Sequence, residues 1–197
     1  MEYLQPMLVG LLAWVILGES LSLAKIVGLT LGFSGIVAVS AGSVLGNVSV
    51  AGVAFSATSA LSWALGTVLF KRYEARVSTT WAVTIPFVIG GMVLTLFGFA
   101  REGWSEVSPT GTLLASLSYV SLVEIALAWL IWFGLIRAGE ASRVAVYVFF
   151  VPLVSIVIGA VFLHERPTLS LLIGAALIVT GIYTVNRSPT GKDKYVD

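Results

Sequence analysis

Glu124 is the residue whose type and position could most directly do chemistry. It lies in the run SLVEIALAW, in the middle of an apolar stretch near 112–136. An ionised carboxylate at the centre of a bilayer costs about 2.5–3.5 kcal/mol even on insertion scales. Such a group faces a bundle interior, finds a partner or takes up a proton, so the chemistry it offers is proton coupling or contact with a cationic solute. The plainer alternative is a protonated Glu hydrogen-bonded to a neighbouring helix. At helical spacing Ser121 and Ala128 share its face and leave room beside it, with Trp132 two turns on, as in the wall of a cavity.

Trp63, Trp129 and Trp132 also fall within apolar stretches, where a ring can stack on a solute or its cation. Trp14, Trp81 and Trp104 stand near the ends of stretches or in breaks and read as interface anchors. Ser56, Ser59, Ser62 and Thr67 could hydrogen-bond a polar solute, although small residues more often let helices approach, as in GLTLG at 28–32. Pro6, Pro86 and Pro152 interrupt apolar runs and would bend them. Glu19 and Glu165 sit in breaks and are expected to hold a turn and the start of the following helix. The chain has no cysteine and a single histidine, His164, which leaves no thiolate or histidine cluster to hold a metal. HExxH, GxSxG and paired membrane aspartates are absent too, so neither an enzyme nor a bound cofactor or metal is expected.

The elements that position these residues follow from composition. Only 11% of the 197 residues are charged and 58% are hydrophobic, with a mean hydropathy of +1.01, whereas soluble domains carry roughly 25% charge. The natural solvent is a lipid bilayer. Polar breaks divide the chain into seven apolar stretches near 3–18, 23–43, 50–70, 79–100, 112–136, 144–163 and 169–185. Runs of this length satisfy their backbone groups in lipid as helices, and no alternating pattern points to a barrel. The fold class is therefore an all-α membrane protein of about seven transmembrane helices. GESLS, LGNVS, KRYEARVS, REGWSEVSPTG, RAGEAS and HERPT supply the turns. A net charge near zero argues against a nucleic-acid partner.

Lys25, Lys71, Arg72, Arg76, Arg137, Arg143, Arg187, Lys192 and Lys194 fall on one side of these stretches, and only Arg101 and Arg166 on the other. Basic residues are retained in the cytoplasm, which predicts a multi-pass protein of the plasma membrane with a cytoplasmic carboxyl end. An odd number of spans then puts Met1 outside without a basic flank, so a segment upstream is expected.

Laying 6–39 over 152–185 without a gap matches Pro6 with Pro152, Glu19 with Glu165, Gly28 with Gly174 and Gly35 with Gly181. Val15, Leu17, Leu23, Leu31, Ile36 and Val39 find identical partners as well. The copies begin five stretches apart, and an odd number of crossings inverts the second copy in the membrane. Inverted repeats are typical of alternating-access transporters.

The P-(x12)-E pattern with two later glycines, SALSWALGTVLFKR at 59–72 and ALAWLIWFGLIRAGEASRVAVYVFFVPLVSIVIGAVFLHE at 126–165 together resemble the EamA branch of the drug/metabolite transporter superfamily. That resemblance implies a ten-helix exporter of two inverted five-helix repeats. On it, 50–187 is the complete second repeat, 3–43 the last two helices of a first repeat lacking its leading three, and 188–197 a cytoplasmic tail. It also places Tyr147 and Pro152 against a central cavity. Similar members carry a small residue where Glu124 stands, so this Glu would belong to a subgroup. The implied function is a secondary permease that exports small metabolites or amino acids, proton-coupled through alternating access. The alternative is a non-transporting membrane fragment or subunit. The expected partners are the lipid bilayer, a small-molecule substrate, and either a second copy or a protein supplying the absent helices.

Overall fold

With no water in a bilayer core, each backbone N–H must find a carbonyl within its own segment, and the apolar stretches wind accordingly. The structure, a computed structural model, describes residues 2–40, 49–101, 109–164 and 167–187. Among them every regular element is helical. A 3-10 turn Glu2–Leu4 leads into α1 (Gln5–Leu12), which ends in a π turn Ala13–Leu17. There follow α2 (Leu23–Ser40), α3 (Val50–Arg72) and α4 (Thr79–Arg101). Next, α5 (Gly111–Tyr119) runs through a π segment Val120–Leu127 into α6 (Ala128–Ala138). Finally α7 (Ala141–Ala145) passes through a 3-10 turn Val146–Phe149 into α8 (Phe150–Phe162), and α9 is Leu169–Arg187. Among the described residues six helical stretches are long and apolar enough to cross a membrane, and Gln5–Leu17 is a shorter apolar helix. The seven stretches of the sequence thus become six of spanning length and one short one. Glu165, Arg166, Trp104 and the 188–197 tail lie outside the described residues.

The prolines act more locally than the sequence suggests. Pro6 stands in the first turn of α1, where the missing N–H has no intrahelical partner to lose, so it starts that helix and does not interrupt it. Pro152, its repeat mate, is the third residue of α8 and so also lies in a first turn, after the 3-10 turn Val146–Phe149. Among the described residues only Pro86 is inside an unbroken α-helix.

The chain divides into two compact units, Met1–Arg72 with Gly139–Asp197, and Tyr73–Ala138. In the first, α2 and α9 make the closest pairing, and glycine is the reason. A β-carbon on Gly28 would lie 2.6 Å from the Gly181 carbonyl oxygen, and one on Gly35 2.6 Å from that of Gly174. As numbers rise along α2 they fall along α9, so the helices run antiparallel. Each contact is also the mate of the other under the offset that lays 6–39 over 152–185. Around the seam Leu29, Ile36, Val146, Phe149, Ile178, Ile182 and Val185 form a buried core. Phe149 packs on Gly32, where a β-carbon would stand 2.5 Å from its ring.

In the second unit α4 and α6 pack through aromatic rings, Phe87 edge-on to Trp129 with centroids 5.4 Å apart. Arg137, near the end of α6, donates to the carbonyls of Glu74 at 2.8 Å and Val77 at 2.5 Å, which ties down the connector before α4.

Candidate functional site

Glu124, with Ser121, lies on the π segment Val120–Leu127, and both are exposed. The sequence reading assumed 3.6 residues per turn. A π-helix closes its bonds one residue later, so the spacing that set Ser121 and Ala128 beside Glu124 widens there. Trp132 is half-buried on α6 of the same unit.

Trp63, Tyr147 and Pro152 belong to the other unit. Trp63 is half-buried on α3, and Tyr147 is exposed with its ring stacked on Phe150 at 6.0 Å. Pro152 is buried and borders a cavity of about 320 Å³ with Tyr3, Ser40, Ser155 and Leu171. Among the described residues no charged side chain lines it. The Ser155 hydroxyl donates to the Val151 carbonyl one turn back at 3.1 Å.

At the opposite end of α2 stands a charge cluster that sequence reasoning missed. Gly18, in the left-handed region at φ 70°, closes the π turn after α1 and turns the chain so that Glu19 reaches the start of α7, 122 positions along. The Ala141 N–H donates to Glu19 Oε1 at 2.6 Å and the Ser142 N–H to Oε2 at 3.2 Å, and the Ser142 hydroxyl also donates to that carboxylate. A carboxylate here meets unpaired helix donors and the positive end of the helix dipole. Glu19 therefore holds a helix start, but not that of the helix that follows it. Lys25 is completely buried. Its ammonium donates to Ser142 Oγ at 2.9 Å and pairs with Glu140 at 3.1 Å and Glu19 at 3.7 Å. Arg143 Nε holds Glu140 at 2.6 Å, and its Nη1 donates to the Asn186 carbonyl at the end of α9 at 3.2 Å. The only sequence signal was that Glu19, Glu140 and Arg143 fall in breaks on one side, with Lys25 just inside the stretch that follows Glu19; Lys25 counted there only toward orientation.

Burial alone would raise the Glu140 carboxyl, but hydrogen bonds and charge from Lys25 and Arg143 outweigh it and hold the group below its ordinary value. A depressed folded value means that the stabilisation is present above the unfolded value and is lost as pH falls through the folded one. Acidification below about pH 4 is therefore expected to lower the unfolding midpoint in detergent, and Glu140→Gln should flatten that dependence. An acid limb of equal slope in the variant would remove Glu140 from this role.

Antiparallel apolar helices in contact through glycine, with a cavity at one end of the pair and paired charges at the other, define a polytopic helical membrane protein. Residues 50–187 match the EamA-like transporter family, and the chain belongs to that family. It is 46% identical to the uncharacterized transporter YvbV of Bacillus subtilis over 93% of this chain and 60% of that protein. It is 31% identical to a protein of Escherichia coli named "probable amino-acid metabolite efflux pump", over 84% of this chain and 58% of that one. The chain thus spans about three-fifths of the length of these relatives. A crystal structure of a protein 24% identical in sequence superposes with a TM-score of 0.80 over 94% of this chain and 66% of that one, which shows a shared fold.

Proposed function

We propose that the chain works in a secondary carrier of the plasma membrane that exports small metabolites or amino acids, coupled to protons through alternating access. Family membership makes a membrane transporter the general class. The observation that carries the rest is the pair of Gly28–Gly181 and Gly35–Gly174 contacts. They join residues related by an inverted sequence repeat across one seam, an arrangement about which two helix groups can rock. In this reading 3–43 supplies the last two helices of a first five-helix repeat and 50–187 the whole second repeat. The 188–197 tail faces the cytoplasm. Glu124, on its π segment, is the coupling group, and Tyr147, Pro152, Trp63, Trp132 and Ser121 border the solute path. The name of the Escherichia coli relative supports an amino-acid metabolite as the solute.

Because the relatives are longer, a second reading has the chain act as a subunit whose activity needs a second copy or a partner that completes the pathway wall. Reconstitution separates the two. Vesicles holding this chain alone are expected to take up members of a small-metabolite panel when a proton gradient is imposed, and Glu124→Gln should abolish the pH dependence. Uptake by the Gln variant with unchanged pH dependence excludes Glu124 as the coupling group. No uptake by the chain alone favours the subunit reading.

A further inference from the structure

The repeat offset allows the two ends of the first unit to be compared residue by residue, and they differ. It carries six of the cavity residues, Tyr3, Ile36, Val39, Pro152, Ser155 and Leu171, onto Phe149, Ile182, Val185, Pro6, Val9 and Lys25. Each of those six mates is buried: Lys25, Phe149 and Val185 are wholly inaccessible, Val9 is 1% exposed and Ile182 6% exposed, whereas the mates of Ser40, Ala160 and Pro167 at the cavity's edge, Asn186, Trp14 and Leu21, are partly exposed or exposed. Related sequence, carried on related helices, thus borders a cavity at one end, and at the other six of the matching positions are packed into a core. Phe149 does the filling by lying on Gly32. Lys25 seals the rim above it through Ser142, Glu140 and Glu19.

We propose that this unit is shut at its Lys25 end by an ionic latch with Phe149 as its plug, and that the Ser155 cavity is the open counterpart of that plug. The inference rests on the alternating-access reading and specifies its gate. Opening the shut end requires the Lys25, Glu19, Glu140 and Arg143 charges to part and be wetted, and Phe149 to leave Gly32. Closing the other end requires Tyr3 to move inward as Phe149 has done. The two closures differ chemically, because Leu171 stands where the mate of Lys25 falls, so that among the described residues no ammonium answers Lys25 at the other end. The latch thus biases the unit toward the state seen here, closed at the Lys25 end.

The sequence contains no cysteine, so single-cysteine reporters are clean. Val9→Cys and its mate Ser155→Cys, each in the full chain in vesicles, are labelled with a membrane-impermeant maleimide from either side. Without further change, Ser155→Cys should react and Val9→Cys should not. Adding Lys25→Met with Glu140→Gln, which removes one charge of each sign, should speed labelling of Val9→Cys and slow that of Ser155→Cys by about tenfold each, a shift of populations between two states. If the double change does not give a folded chain, Glu140→Gln alone serves, with smaller shifts in the same directions. Folded latch variants with both rates unmoved overturn the proposal, as does rapid labelling of Val9→Cys in the otherwise unaltered chain. Shifted rates without solute uptake leave the latch standing and count against transport by this chain alone. Uptake with unmoved rates does the reverse.

Discussion

Replacement of Gly28 by leucine is expected to leave little folded protein. A β-carbon there stands 2.6 Å from the Gly181 carbonyl oxygen and 2.9 Å from the Val185 nitrogen. Those are backbone atoms, which cannot swing aside as the tip of a side chain can, so α2 and α9 must separate along the seam. The surrounding core, which includes Phe149 and Ile178, would then lose its packing. Overpacking a close contact costs about 1–3 kcal/mol for a few added methylenes, so Gly28→Ala should give a measurable fall in unfolding midpoint and Gly28→Leu a collapse of yield. Gly35→Leu should behave alike, through the mated contact. Gly66→Ala is the control, since nothing lies within 4 Å of a β-carbon there. Thermal unfolding in detergent checks the series, and a Gly28→Leu chain as stable as the Gly66→Ala chain would remove the seam from its central place.

The second large effect is expected from Lys25→Met. Taking away one partner of a buried ion pair strands the others and costs about 3–5 kcal/mol. Glu19 and Glu140 would both lose the ammonium with which they pair, with Arg143 left to hold Glu140. Adding Glu140→Gln should recover much of the loss, because a neutral amide carries no unpaired charge and Glu19 keeps its bonds to the start of α7. The readout is a double-mutant cycle on the unfolding midpoint. Strict additivity of the two changes would mean that the pair is not coupled.

The helices were legible in the sequence because lipid imposes a single demand on every apolar run, and Pro6, Glu19, Gly28 and Gly35 marked the repeat because each has a reason for its position that apolar residues lack. The seam was partly legible: GLTLG announced a close contact, although nothing in it named α9 as the neighbour. The charge cluster was not. Lys25 and Glu19 lie six positions apart, but their other partners are more than a hundred positions away, and a lysine near the start of an apolar stretch looks the same whether water or a carboxylate meets it. The π segment at Glu124 was hidden for another reason. It alters hydrogen-bond registry without altering composition, so the face drawn for Ser121, Glu124 and Ala128 assumed an even winding that the helix does not keep. Pro6 misled through context, since a proline near the start of an apolar run interrupts or begins a helix according to where the first turn falls.

The stretch from Gly111 to Ala138 is 28 residues long, and at about 1.5 Å per residue it measures roughly 42 Å. The hydrocarbon layer it crosses is about 30 Å thick, and the usual tilt of about 20° shortens its reach by only a few ångströms. The remainder must emerge from the lipid or be absorbed as a steeper lean. Arg137, near the Ala138 end, is fastened to two carbonyls of the connector before α4, and Glu124 lies between the two ends. The depth at which that carboxylate rides is thus set partly by the thickness of the host membrane, and short-chain and long-chain lipids should place it at different levels.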